Sequence, residues 1–139
     1  MTACSSFEIS AKSGIELAKY LLDSTILIDH LNGLRPATEW LSKLKSDDAL
    51  ISVITRAEVL VKAGEKWEEV ASFLEEYGCL SIGPDEADMA AGFRNRYRIK
   101  LPDAFQAAVA RTQDLVFVTR DADDFKNIGD LEVKIPYKI

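Results

Sequence analysis

Five short apolar runs rich in β-branched residues constrain this chain more than any other feature: Ala18 to Leu22, Ala49 to Ile54, Cys79 to Ile82, Leu115 to Val118 and Val133 to Ile135. Each has the length of a strand and is apolar at nearly every position, the pattern of a strand covered on both faces. Between them, apolar residues recur at helical spacing. Trp67, Val70, Leu74 and Tyr77 form one stripe, Met89, Ala90, Phe93 and Tyr97 a second, and Phe105, Ala108, Val109 and Thr112 a third. Such stripes are the core faces of amphipathic helices rather than cofactor boxes. Strands alternating with helices imply right-handed crossovers and parallel pairing. The expected fold class is therefore α/β, a three-layer α/β/α sandwich around a mostly parallel, twisted sheet of about four to five strands.

A chain of 139 residues, 47% hydrophobic, is long enough for one core and too short for two. No repeat, low-complexity tract or Pro/Gly-rich linker divides it. Residues 1–17 stand apart as an N-terminal extension: they carry a potential capping box from Ser13 to Glu16 but no core pattern, which leaves arm, short helix and disorder open. The domain proper is expected over 18–139. The formal charge of −6 argues against binding nucleic acid by bulk positive charge, so any such contact must be local. Cys4 and Cys79 have no metal-ligand spacing and fit a reducing cytoplasm. No apolar run approaches the roughly 18 residues of a membrane span. With His30 as the one histidine, read as an exposed helix residue, histidine-based zinc sites and Ser-His-Asp triads have little to build on.

In an open parallel sheet, reactive groups collect just beyond the carboxyl ends of the strands. Acids stand at four such places. Asp23 follows Tyr20-Leu21-Leu22, Glu58 lies in the first turn after Ile51-Ser52-Val53-Ile54, Asp103 opens the helix through Thr112, and Asp121 follows Val116-Phe117-Val118-Thr119-Arg120. Converging carboxylates cannot all stay ionised without a cation, and Mg²⁺ or Mn²⁺ prefers oxygen ligands. Such an ion can acidify a water, place it in line with a phosphodiester and neutralise charge on the leaving oxygen.

Each acid also has a plainer reading. Thr55-Arg56-Ala57-Glu58 fits a capping box, and Asp103 directly after Pro102 fits the preference for Pro and acids in a helix's first turn. Asp23 could be an N-cap, although an acid ending an almost wholly apolar strand is costly unless something binds it. Asp121 shares its turn with Asp123 and Asp124, a pattern common in solvated loops. It is the coincidence of all four that points to a site.

These residues resemble the PIN-domain family, particularly the VapC-type toxins of toxin–antitoxin pairs. Tyr20 to Ile28 resembles the family's opening Leu-Leu-Asp-Thr-Asn block, Ile51 to Leu60 its Ser-x-x-Thr-x-x-Glu block, Leu101-Pro102-Asp103-Ala104 its third, and Thr119-Arg120-Asp121 with Asp124-Phe125 its fourth. The blocks fall in family order over about residues 18–136. The resemblance implies that Asp23, Glu58, Asp103 and Asp121 bind Mg²⁺ or Mn²⁺ and catalyse, with Asp124 in an outer role and Ser24, Thr25 and Thr119 in support. It further implies endonucleolytic cleavage of RNA by a homodimer that a small antitoxin neutralises. The chain departs from the pattern at Thr25, where many members carry Asn, and in the residues before the first strand.

One local feature suits RNA. Arg94, Arg96, Arg98 and Lys100 surround Tyr97 just before the Asp103 block, although favourable charges at a solvated helix end explain them equally well. Two other readings compete. A haloacid-dehalogenase-like phosphatase would need a second Asp two residues after Asp23, where this chain has Thr25. A PIN-like interaction scaffold without catalysis would be expected to have lost one of the four acids.

Overall fold

A computed structural model describes residues 19–139; the N-terminal extension expected over 1–17, with its potential capping box and Cys4, lies outside them. The chain order is β1 (Tyr20–Leu22), α1 (Ser24–Leu31), α2 (Arg35–Ser42), β2 (Ala49–Ser52), α3 (Val53–Ala63), α4 (Trp67–Leu74), β3 (Gly78–Leu80), α5 (Pro84–Tyr97), α6 (Leu101–Thr112), β4 (Val116–Val118) and β5 (Val133–Lys134). Five strands form one sheet in the order β3-β2-β1-β4-β5, and every pairing is parallel.

Side-chain alternation sorts the sheet's residues into two cores. Leu21, Leu50, Leu80 and Phe117 face α5 and α6, while Leu22, Ile51, Cys79 and Val118 face α1, α3 and α4. Both faces are thus covered, which is why the strands read as unbroken apolar runs and why three layers result. Close approach is built in twice. Ala104, Ala107, Ala108 and Ala110 give α6 a buried face of small residues, and a Cβ at Gly78 would stand 2.7 Å from Leu50 Cδ2.

The expected strands are present, each shorter than its apolar run. The second run stops at Ser52 because the Ser52 hydroxyl accepts from the N–H groups of Ile54 and Thr55 and starts α3 there. That corrects the capping box expected from Thr55 to Glu58: Thr55 lies inside α3, and its hydroxyl donates instead to the Leu22 carbonyl at 3.2 Å. Trp67 also departs from its expected place on a core face. It begins α4 and is 50% exposed, while Val70 and Leu74 carry the packing. His30 is in a helix as expected but half-buried, with its Nδ1 2.7 Å from the Thr38 hydroxyl and its ring against Phe73.

Strand order sets the position of the site. After β1 the chain moves outward through β2 to β3, then returns to the other side of β1 for β4 and β5. The crevice beyond the carboxyl ends of β1 and β4 is the switch point, where such sheets bind ligands.

Candidate active site

Asp23 sits at that switch point. Its backbone N–H continues the β1–β4 ladder by donating to the Val118 carbonyl at 2.9 Å, and its carboxylate caps α1 by accepting from the Ser24 N–H at 2.8 Å. Oδ2 accepts two further bonds, from the Thr119 hydroxyl at 2.7 Å and the Thr25 hydroxyl at 3.0 Å. The N-cap reading of Asp23 therefore holds in geometry. Burial pushes its carboxyl above the usual range, against the lowering effect of Thr119, Thr25 and Ser24. The repulsion of Asp121 adds to the rise.

The loop after β4 supplies the other wall. Thr119, fully buried, accepts the Asp121 N–H at 3.1 Å while donating to Asp23, so one hydroxyl fixes two acids. Thr25 plays a matching part at the opposite edge, where its hydroxyl accepts from the Arg120 N–H at 3.4 Å. This side chain, the departure from the usual Asn, thus still bonds both Asp23 and the β4 loop.

Asp103 projects from the first turn of α6 behind Pro102. Its carboxyl is pushed up to about 6 by burial first, then by the charges of Asp23, Asp124 and Glu58, with Lys100 pulling the other way. Those four carboxylates and Asp121 line one cleft of about 230 Å³, together with Ser24, Thr25, Lys100, Pro102 and Phe125. Asp124, expected only in an outer role, belongs to this lining. Among the described residues, however, no three acidic, histidine or cysteine side chains are gathered tightly enough to chelate one ion as they stand.

The basic segment divides. Lys100 reaches the cleft, whereas Arg94, Arg96 and Arg98 are exposed at the end of α5, where Arg98 caps the helix in the left-handed region at φ 59°. No described helix is long and apolar enough to cross a membrane.

Two groupings escaped the sequence. Asp29 of α1 receives the Arg120 guanidinium through Nε at 2.7 Å and Nη2 at 3.3 Å, and it accepts the Tyr137 hydroxyl at 2.8 Å. These partners lie 91 and 108 residues from Asp29, beyond any local pattern. Ser52, Thr55 and Gln106 form a second, wholly buried network. Its available signal was a glutamine set among the alanines of α6.

The model of the family described as PIN domain matches residues 20–131. Ribonuclease VapC10 of Mycobacterium tuberculosis is 36% identical over 119 residues, spanning 81% of this chain and 90% of that protein. Among solved structures, a chain of a toxin–antitoxin complex from Klebsiella pneumoniae superposes with a TM-score of 0.78 at 33% identity, covering 87% of this chain and all of that one (100%). FitAcB from Neisseria gonorrhoeae gives 0.74 at 25% identity, covering 84% and 97%.

Proposed function

Because the chain belongs to the PIN-domain family, we propose that it is a metal-dependent endoribonuclease and the toxin of a type II toxin–antitoxin pair. One observation carries the reading: acids from β1's end, α3, α6 and the β4 loop line a single cleft at the switch point, and mutual repulsion helps raise Asp103. The all-oxygen donor set and its excess negative charge suit Mg²⁺ or Mn²⁺. Asp23, Glu58, Asp103 and Asp121 would hold the ion, with Asp124 beside them. When bound, such an ion supplies an acidified water and charge neutralisation at a scissile phosphodiester.

The chain's own groups prepare that chemistry. Thr119, Thr25 and the Ser24 N–H orient the Asp23 carboxylate before any ligand arrives. Thr119 sets the backbone of Asp121 through its N–H. Lys100 brings positive charge to the cleft rim, where an RNA phosphate would otherwise meet only acids. Arg94, Arg96 and Arg98 extend that charge along the end of α5 as RNA contacts. The toxin–antitoxin complex from Klebsiella pneumoniae supports an antitoxin partner; a homodimer is what the resemblance to VapC-type toxins implies, and the cysteine usage fits a cytoplasmic setting.

The test is partner-free protein incubated with total RNA and Mg²⁺ or Mn²⁺, beside EDTA and Asp103→Asn controls. Discrete fragments absent from both controls are expected. Absence of cleavage with every divalent ion would overturn the activity in favour of an interaction scaffold.

A further inference from the structure

Ser52, Thr55 and Gln106 are 0%, 0% and 1% exposed, and every hydrogen bond among them joins separate elements or a helix cap. The Ser52 hydroxyl donates to Gln106 Oε1 at 2.7 Å while accepting the first N–H groups of α3. Gln106 Nε2 donates to the Thr55 hydroxyl at 2.6 Å, and Thr55 donates onward to the Leu22 carbonyl at 3.2 Å. The circuit is directional: each hydroxyl has one proton to give, and each is given to a named oxygen.

Its three ends coincide with three of the acids. Leu22 immediately precedes Asp23. Glu58 follows Thr55 by three residues on α3, and Asp103 precedes Gln106 by three on α6, so each acid neighbours its circuit residue on the same helical face. Apolar packing alone tolerates small sliding of α6 over β2, whereas buried hydrogen bonds between named donors and acceptors hold the elements in one geometry. Nothing about burial requires these polar groups here: the surrounding α6 positions are alanines, and Thr55 neighbours the buried Val59 on α3.

We propose that Ser52, Thr55 and Gln106 are positioning residues, a buried hydrogen-bonded brace that sets the mutual distances of Asp23, Glu58 and Asp103 so that the three can close on one divalent ion. This rests on the metal-binding reading above and deepens it.

The experiment titrates MnCl₂ into RNA-free wild-type protein and into Thr55→Val, Gln106→Leu and Thr55→Ser, by calorimetry, with thermal unfolding recorded for each. Thr55→Val and Gln106→Leu keep side-chain volume and lose the bonds; Thr55→Ser loses a methyl and keeps the hydroxyl. The brace predicts that the first two remain folded and weaken Mn²⁺ binding about 10-fold or more, the range for groups that orient ligands. Thr55→Ser should stay near wild type whatever its Tm. In RNA cleavage the same two variants should lose kcat with little change in KM. Wild-type Mn²⁺ affinity in either of the two, or a loss in Thr55→Ser matching that in Thr55→Val, would overturn the brace. Wild-type protein that takes up no Mn²⁺ would overturn it together with the metal reading. Variant-sensitive Mn²⁺ binding without RNA cleavage by any of the proteins would support the brace and overturn the ribonuclease alone.

Discussion

Asp23 and Asp103 share one cleft but are held in opposite ways. Asp23 is nearly buried and accepts three hydrogen bonds, two of them from threonine hydroxyls. Asp103 is half-buried, and its protonation is set by desolvation and the three acids around it, with the Lys100 charge as the one opposing influence. The contrast separates two tasks. One carboxylate is oriented in advance, at the cost of being part of the fold. The other is kept in an electrostatically unfavourable place, which only a proton or a cation relieves.

The sharpest way to break this contrast is to remove charge from the unrelieved side. Asp103→Asn should lower RNA cleavage by at least about 100-fold, since each ligand supports an ion worth several kcal/mol to the transition state. Its circular dichroism should match the wild type. An active, folded Asp103→Asn would remove Asp103 from the site.

On the oriented side, damage should reach stability as well as activity. Thr119→Val leaves a buried Asp23 oxygen short of a donor and the Asp121 N–H short of an acceptor, so about 1–3 kcal/mol should be lost in urea unfolding. An unchanged midpoint would mean that Asp23 does not depend on this hydroxyl.

A pH series sharpens the comparison further. The folded pKa of Asp103, about 6, lies above its unfolded value of 3.8, so between these the folded state binds more proton. Metal-free protein should therefore be more stable near pH 4 than the Asp103 charge allows above pH 6, by on the order of 1–2 kcal/mol once partial exposure is discounted. Asp103→Asn should remove this contribution, and MgCl₂ should offset it at pH 7. A wild-type and variant pair with parallel stability profiles over this window would contradict the assignment.

The smallest effect is expected farthest from the cleft. Tyr137→Phe deletes the hydroxyl that donates to Asp29, and about 0.5–1.5 kcal/mol should be lost. The Arg120 contacts to Asp29 should remain, so cleavage should stay within about two-fold, the effect of roughly 0.4 kcal/mol. A larger loss of activity would show that the chain end shapes the β4 loop.

The sequence revealed the fold where burial was two-sided, and the gathering of acids in one cleft where they followed strands. Leu21 and Leu22 point into different cores, so no polar position interrupted their run, and the same holds for Leu50 with Ile51 and Phe117 with Val118. Trp67 misled because spacing identifies a face without saying where along it burial begins. The capping assignment failed because Ser52 and Thr55 are both capable caps, and only the position of the Leu22 carbonyl decides between them. The pairing of Arg120 with Asp29, and of Gln106 with Ser52, joins residues 91 and 54 apart, and no local rule reports such contacts.

The place of β4 beside β1 also has a consequence in time. Thr119, the donor that orients Asp23, lies 96 residues further along the chain, and Asp121 and Asp124 follow it. Translation proceeds at about 5–20 residues per second, so for several seconds a nascent chain holds the opening strand of the site and none of its closing loop. A cleft assembled where the first and fourth strands meet at the switch point of the sheet cannot exist on the ribosome until the β4 loop has been made. An enzyme that cuts RNA would thus be withheld from the message and the machinery producing it.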